Sequence, residues 1–322
     1  MGLDKVDLAI IALYLGNDPR TFDMRAIVDR PPLAGLAAAF TFAAFLIAFG
    51  IKTPLFPVHT WLPAAHVEAP TAGSVVLAGV MLKLGAYGFV RFALQMTPDA
   101  FRAAAPWVAG LAMISALYGA FVALAQTDLK RMVAYTSINH MGYVVLATAA
   151  AATAVDTRAR EFAVDGAVLQ MVSHGLVTGA LFLLVGALQD RTGTREMGAL
   201  GGLLKVVPGL GWAFILAAFA SLGLPGLAHF PAEFQIFLGT FGAWQWAAAI
   251  PLSGILVTAG LYLRAIQATF LGDLPDRWRG LPDLQRADTW AIVPLLGLIV
   301  AIGIAPGLLL DVIHTTVAAI IR

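Results

Sequence analysis

The stretch from Gly50 to Phe92, GIKTPLFPVHTWLPAAHVEAPTAGSVVLAGVMLKLGAYGFVRF, constrains this chain most. Apolar runs lie on both sides, so most of it sits at membrane depth. It nevertheless carries Lys52, Lys83, His59, His66, Glu68 and four prolines. Ionisable groups are costly in hydrocarbon, and by default they mark a transport path. Pro54 and Pro57 break the helix directly after Lys52. Irregular backbone at that depth survives only where protein or a water-filled cavity covers it. A broken helix bearing a lysine, followed by an unbroken helix bearing another, is a transporter pattern.

Composition narrows the class. Of 322 residues 60% are hydrophobic and 12% charged, with a mean hydropathy of +0.84. A soluble domain carries about 25% charged residues, so the chain is an integral, multi-pass membrane protein. The net charge of +1 leaves no basic tail for nucleic acid. The absence of cysteine excludes disulfides, thiolate iron–sulfur ligation and thiol catalysis.

The fold expected is all-α: one polytopic transmembrane helix bundle over 1–322 with two broken helices. Leu8–Leu15 is too short to span and reads as the tail of a spanning helix. A polar loop over 17–32 leads to the first broken helix, around 33–66, and then to an unbroken helix over 71–94. Lys83 lies about 18 Å along that helix, on a stripe of Ala72, Val76, Gly79, Lys83 and Ala86. Spans follow at 104–125, 132–149 and 167–188, with a loop over 156–165. A second broken helix lies around 206–241, and Gly223-Leu224-Pro225-Gly226 interrupts it. The remaining spans are 247–271 and 289–310, the latter ending in a short amphipathic tail. This gives about eight spans. Paired interrupted segments point to an inverted-repeat transporter. Residues 1–94 read as the end of a first repeat, 104–271 as a complete five-helix second repeat, and 289–322 as a final span and tail. The first repeat is incomplete, so the sequence reads as N-terminally truncated. Lys and Arg are nearly balanced between alternate loops, with a slight excess on the side of Lys130 and Arg131, taken as cytoplasmic.

Five residues form the expected proton pathway. Burial disfavours a charged amine, so Lys83 at midspan is suited to load and release a proton; the alternative is a lysine snorkelling to the interface. Lys52 is placed to approach the carbonyls freed by the break; otherwise it is an interfacial anchor. Glu233 lies beside the second break as a proton carrier, or else caps the half-helix that follows. His140 and His174 sit in polar stripes (Thr136, His140, Tyr143; Gln170, His174, Thr178) and are suited to relay protons, where a lone histidine would be a packing residue. Secondary candidates are His59, His66, Glu68, Asp128 and His229. Glu68 reads as a proton uptake group or a helix-entry charge, and Asp128 as a helix cap. His59 and His66 are seven apart with no third ligand placed, so no metal site is expected.

At these residues the sequence resembles the M-type antiporter-like subunits of respiratory NADH:quinone oxidoreductase (complex I). The segments that carry the resemblance are KTPLFPVHTWLPAAHVEAPTAGSVVLAGVMLKL (52–84) with GAYGFVRF, QTDLKRMVAYTSINHMGYV (126–144), QMVSHGLVTGALF (170–182) and GLPGLAHFPAEF (223–234). The EAPTAGSV and LKLGAYG pieces favour the M type over the sister L and N types. The resemblance implies a half-channel per repeat joined by a hydrated axis, with Lys52, Lys83, His140, His174 and Glu233 in the proton-carrying positions. The family's glutamate partner for the Lys52 position has no counterpart in this sequence.

The resemblance further implies a proton-translocating subunit driven by electron transfer elsewhere. NADH, FMN, iron–sulfur clusters and quinone then belong to other subunits, and this chain holds no cofactor and no redox active site. The implied surroundings are the lipid bilayer of a bacterial inner membrane and, as partners, the L-type and N-type antiporter-like subunits. Rival readings are a subunit of an Mrp-type cation/proton antiporter or membrane-bound hydrogenase, and a structural subunit that does not pump.

Overall fold

A computed structural model describes residues 3–321, and all regular elements among them are helices. Helix α1 (Leu3–Gly16) packs on α3 (Gly35–Lys52). Between them the expected polar loop contains a short helix, α2 (Met24–Asp29). Its N-cap is Asp23, whose carboxylate accepts the amide of Arg25 at 2.9 Å; this local bond gives the charged segment a helical turn.

Helix α3 ends at Lys52, and α4 (Trp61–Glu68) resumes after the proline break. The break is internally satisfied. The carbonyls of Phe49 and Gly50 accept from the amides of Thr53 (2.7 Å) and Leu55 (2.8 Å). The carbonyl of Ile51 accepts from the indole Nε1 of Trp61 at 2.9 Å. With those carbonyls occupied, the expected approach of Lys52 to them does not occur.

Helix α5 (Thr71–Met96) is continuous but not regular, because π-helical turns occupy Leu77–Met81 and Phe89–Ala93. A π-turn inserts one residue and rotates the helix beyond it. The predicted stripe from Ala72 to Ala86 is therefore not one face: Val76 is 53% exposed and Ala86 is fully buried.

Helices α6 (Pro98–Leu124) and α7 (Leu129–Thr153) form a close hairpin. A Cβ at Gly119 would lie 2.7 Å from the Asn139 amide, and one at Gly142 would lie 2.8 Å from the Ala116 amide. Small residues set this spacing. Helix α8 (Thr157–Thr192) has 36 residues, about 54 Å of helix at 1.5 Å per residue, which exceeds the roughly 30 Å hydrocarbon layer. The expected loop over 156–165 is thus mostly helix. Asp156 starts it by accepting the Arg158 amide, and charges are tolerated there because the excess length carries the N-terminus out of hydrocarbon.

The second interruption separates α9 (Pro208–Ser221) from α10 (His229–Trp244). Gly223 (φ +79°) and Gly226 (φ +90°) adopt left-handed conformations around Pro225, which favour glycine. Helix α11 (Ala249–Phe270) comes next, then α12 (Arg286–Ile304) and α13 (Gly307–Ile321). The segment expected as a short amphipathic tail is a helix that packs against α8. Arg191 pairs with Asp288 at 2.5 Å, Gly179 faces Leu295, and Asp165 meets His314. Helices α12 and α13 therefore run antiparallel along the length of α8, interrupted at Ala305-Pro306.

Among the described residues, six helices are long and apolar enough to cross a membrane: Gly35–Lys52, Thr71–Met96, Pro98–Leu124, Thr157–Thr192, Ala249–Phe270 and Arg286–Ile304. Helix α7 is of similar length, but its polar stripe lowers its hydropathy. Protein covers it instead of lipid: almost every residue from Met132 to Ala152 is buried. The chain is a multi-pass membrane protein whose polar residues are turned inward.

Candidate functional site

The centre of the bundle holds a continuous run of ionisable side chains. Lys83 follows the first π-turn of α5. Its ammonium donates to the carbonyl of Ala78 and lies 2.8 Å from Nδ1 of His174 on α8. Close helix approach makes this contact possible, since a Cβ at Gly175 would lie 2.8 Å from the Gly79 carbonyl. The rings of His174 and His140 are 5.6 Å apart between centroids, and the rings of His140 and His229 are 4.6 Å apart. Nδ1 of His140 lies 3.4 Å from Oε1 of Glu233, and Nδ1 of His229 lies 3.9 Å from the same oxygen. His140, His174, His229 and Glu233 are all at most 4% exposed.

Each member is held by a different element. The His140 Nε2 lies 3.2 Å from the Ser221 hydroxyl at the end of α9, and His229 Nδ1 donates to the Ser221 carbonyl at 3.2 Å. Ser221 thus joins both histidines to the break. On α7, Asn139 next to His140 donates its side-chain amide to the Ala116 carbonyl, and about one turn on the Tyr143 hydroxyl donates to the Pro251 carbonyl at 3.1 Å. Glu233 is the fifth residue of α10, and the N-cap is Ala228. It does not cap the half-helix; it faces His140. Among the described residues, His140 Nδ1, His174 Nε2 and His229 Nε2 have no hydrogen-bond partner.

Four of the five principal candidates (Lys83, His174, His140 and Glu233) come together, and the secondary candidate His229 joins them. Lys52 stands apart, with no hydrogen bond or ion pair to its ammonium among the described residues. His59 packs against Tyr118 and Phe56. His66 is fully buried, stacked 4.5 Å from Phe182, with neither ring nitrogen bonded. Glu68 is exposed at the end of α4. Asp128 caps α7 by accepting the Arg131 amide at 2.9 Å and pairs with Arg195 at 3.0 Å.

Sequence reasoning missed Ser221, whose position beside the Gly-Leu-Pro-Gly break was the available signal. It also missed Lys130, which is 4% exposed and donates to the Ala69 carbonyl at 2.5 Å, tying α7 to the end of α4. The carboxylate of Glu233 and the ring nitrogens of His140 and His229 lie within 4.8 Å of one another. That is a spacing three ligands of one metal ion could have, although the sequence led to no expectation of a metal. What the arrangement offers chemically is a relay: donor and acceptor groups in series inside an apolar bundle.

The profile of the NADH:quinone oxidoreductase/Mrp antiporter transmembrane family matches residues 8–260. The NADH-quinone oxidoreductase subunit M of Rhodobacter capsulatus is 40% identical over 291 residues, 90% of this chain and 55% of that protein. The chain thus spans little more than half the length of this curated relative. A chain of respiratory complex I from Thermus thermophilus is 34% identical, with a TM-score of 0.90 over 99% of this chain and 66% of that one. A chain of the Mrp complex from Dietzia shares the fold, with a TM-score of 0.87 at 21% identity. With two broken helices flanking a lysine–histidine–glutamate run inside the bundle, and with this match over most of its length, the chain belongs to the NADH:quinone oxidoreductase/Mrp antiporter transmembrane family.

Proposed function

We propose that this chain translocates protons as an M-type membrane subunit of an NADH:quinone oxidoreductase. The observation that carries the reading is the series from half-buried Lys83 through the buried His174 and His140 to Glu233, with a 2.8 Å contact at one end and a 3.4 Å contact at the other. A charge in hydrocarbon is costly, so such a series is hard to account for by packing alone.

Lys83 passes a proton to His174 Nδ1. From His174 it moves to the ring of His140, and from there to the Glu233 carboxylate, with the Nε2 of neighbouring His229, which has no partner among the described residues, as a second acceptor. Coupling is electrostatic. Two like unit charges 4 Å apart repel by about 4 kcal/mol at an effective dielectric of 20. Lys83 and His174 therefore do not both stay protonated at low cost, and charging one expels the proton of the other. Interacting sites of this kind titrate as a set.

Electron transfer and its cofactors are assigned to other subunits of the complex, with L-type and N-type antiporter-like subunits as neighbours in the membrane. A chain without cysteine supplies no thiolate for an iron–sulfur cluster. The test is Lys83→Ala in the assembled complex reconstituted into liposomes. NADH-driven proton pumping is lost while the complex still assembles; pumping at the unsubstituted level would refute the reading.

A further inference from the structure

A second titratable cluster lies apart from the central axis, near the N-terminal end of α8. Asp165 on α8 and His314 on α13 meet with Oδ2 and Nδ1 2.8 Å apart. Their exposures differ sharply: the side chain of Asp165 is 7% exposed and that of His314 is 52% exposed. The second oxygen of Asp165, Oδ1, has no hydrogen-bond partner among the described residues. The pair lines a cavity of about 310 Å³ with Arg158, Glu161 and Phe162. Glu161 and Arg158 lie on the same helix as Asp165, and Asp311 lies one turn before His314 on α13. These are the charged groups that face the pair.

The position of the pair matters. Asp165 precedes His174 by nine residues on the same helix, about 13 Å at 1.5 Å per residue. The half-thickness of the hydrocarbon layer is about 15 Å. If the axis lies at the midplane, Asp165 is at the edge of the hydrocarbon on the side where α7 ends and α8 begins. Gln170 and Ser173 lie between the two on α8; both are fully buried, and the Ser173 hydroxyl donates to Gln170.

We propose that Asp165 and His314 form a proton-exchange port, the site at which the buried axis trades protons with water at this end of the bundle. The port rests on the reading of the axis as a proton pathway. A helix-to-helix tether would not need a buried carboxylate with a free oxygen. An exchange site needs three things that are present here: a half-exposed imidazole able to take a proton from water and give it up, a buried carboxylate in hydrogen-bond contact with it, and an opening to the surface lined by polar groups. The step is balanced within the pair. His314, protonated from water, gives the Nδ1 proton to Oδ2 of Asp165, and the reverse transfer returns it.

The test is Asp165→Asn in the assembled complex, reconstituted into liposomes, with Asp165→Glu, His314→Gln and Glu233→Gln in parallel. Asparagine keeps an acceptor for His314 but holds no exchangeable acid proton. The port predicts that Asp165→Asn slows NADH-driven proton movement, by up to about 100-fold, the lower end of what a positioned proton-transfer group contributes. It predicts recovery with Asp165→Glu and a slowed rate with a shifted pH profile in His314→Gln. A tether predicts unchanged pumping in Asp165→Asn, and that result overturns the port. If Asp165→Asn fails to assemble, His314→Gln decides, since that half-exposed side chain is not part of the core; unchanged pumping and pH profile there overturns it equally. Loss of pumping in Glu233→Gln alongside normal pumping in Asp165→Asn removes the port and leaves the axis standing, whereas normal pumping in Glu233→Gln removes the axis itself.

Discussion

Lys83 and His174 are 91 residues apart in sequence and 2.8 Å apart in the fold. One belongs to the helix after the first break and the other to the long helix α8, so this hydrogen bond is one of those that join the two halves of the chain. Replacing Lys83 by methionine separates function from stability. Methionine has a similar volume and places no charge at membrane depth, where a charge is costly, which offsets the lost contact with His174. Lys83→Met is therefore expected to abolish pumping without lowering the melting temperature of the purified complex.

The Lys83–His174 contact depends on how closely α5 and α8 approach. A methyl at Gly175 would lie 2.8 Å from the Gly79 carbonyl, which belongs to rigid backbone. Overpacking of this kind costs typically about 1–3 kcal/mol. Gly175→Ala should lower thermal stability by an amount in that range and reduce pumping, although it alters no titratable group. Cryo-electron microscopy of the variant should show the two helices farther apart.

Trp61 closes the first break by donating to the Ile51 carbonyl. Trp61→Phe keeps most of the ring and removes the donor. An unsatisfied carbonyl costs about 1–3 kcal/mol when fully buried, and for this half-buried one the expected outcome is a loss at the low end of that range in thermal unfolding. Faster hydrogen exchange of the Thr53 and Leu55 amides is the local signature.

Asp128 holds the start of α7. It caps α7 and pairs with Arg195. Asp128→Ala should cost about 0.5–2 kcal/mol, as loss of an N-cap generally does, with pumping unchanged per assembled complex.

Much of the site was legible in the sequence because cost is legible. Lys83, His140, His174 and Glu233 stand out as ionisable residues in apolar runs, and the prolines and glycines after Lys52 and Ser221 mark both breaks. Periodicity failed where the helix itself departs from 3.6 residues per turn: the π-turn at Leu77–Met81 rotates Lys83 relative to Ala72 and Val76, and nothing in their spacing announces it. Length arguments failed at α8, where charged residues from Arg158 to Asp165 looked like a loop but continue a helix that outruns the bilayer. Lys52 does not reach the freed carbonyls because groups a few residues further along the chain compete for them: the Trp61 indole and the amides of Thr53 and Leu55 occupy them first. His314 and Asp165 escaped notice because neither stands out alone, and only the antiparallel course of α13 along α8 brings them together.

If Lys83 and Glu233 act on one proton pathway, a double-mutant cycle in pumping exposes it. Proton translocation per NADH would be measured in liposomes for Lys83→Met, Glu233→Gln and the combination. Groups that act as a unit are strongly non-additive, so either single substitution should abolish pumping and the double should be no worse. Substantial pumping in Glu233→Gln, or independent partial losses that multiply in the double variant, would contradict a single pathway.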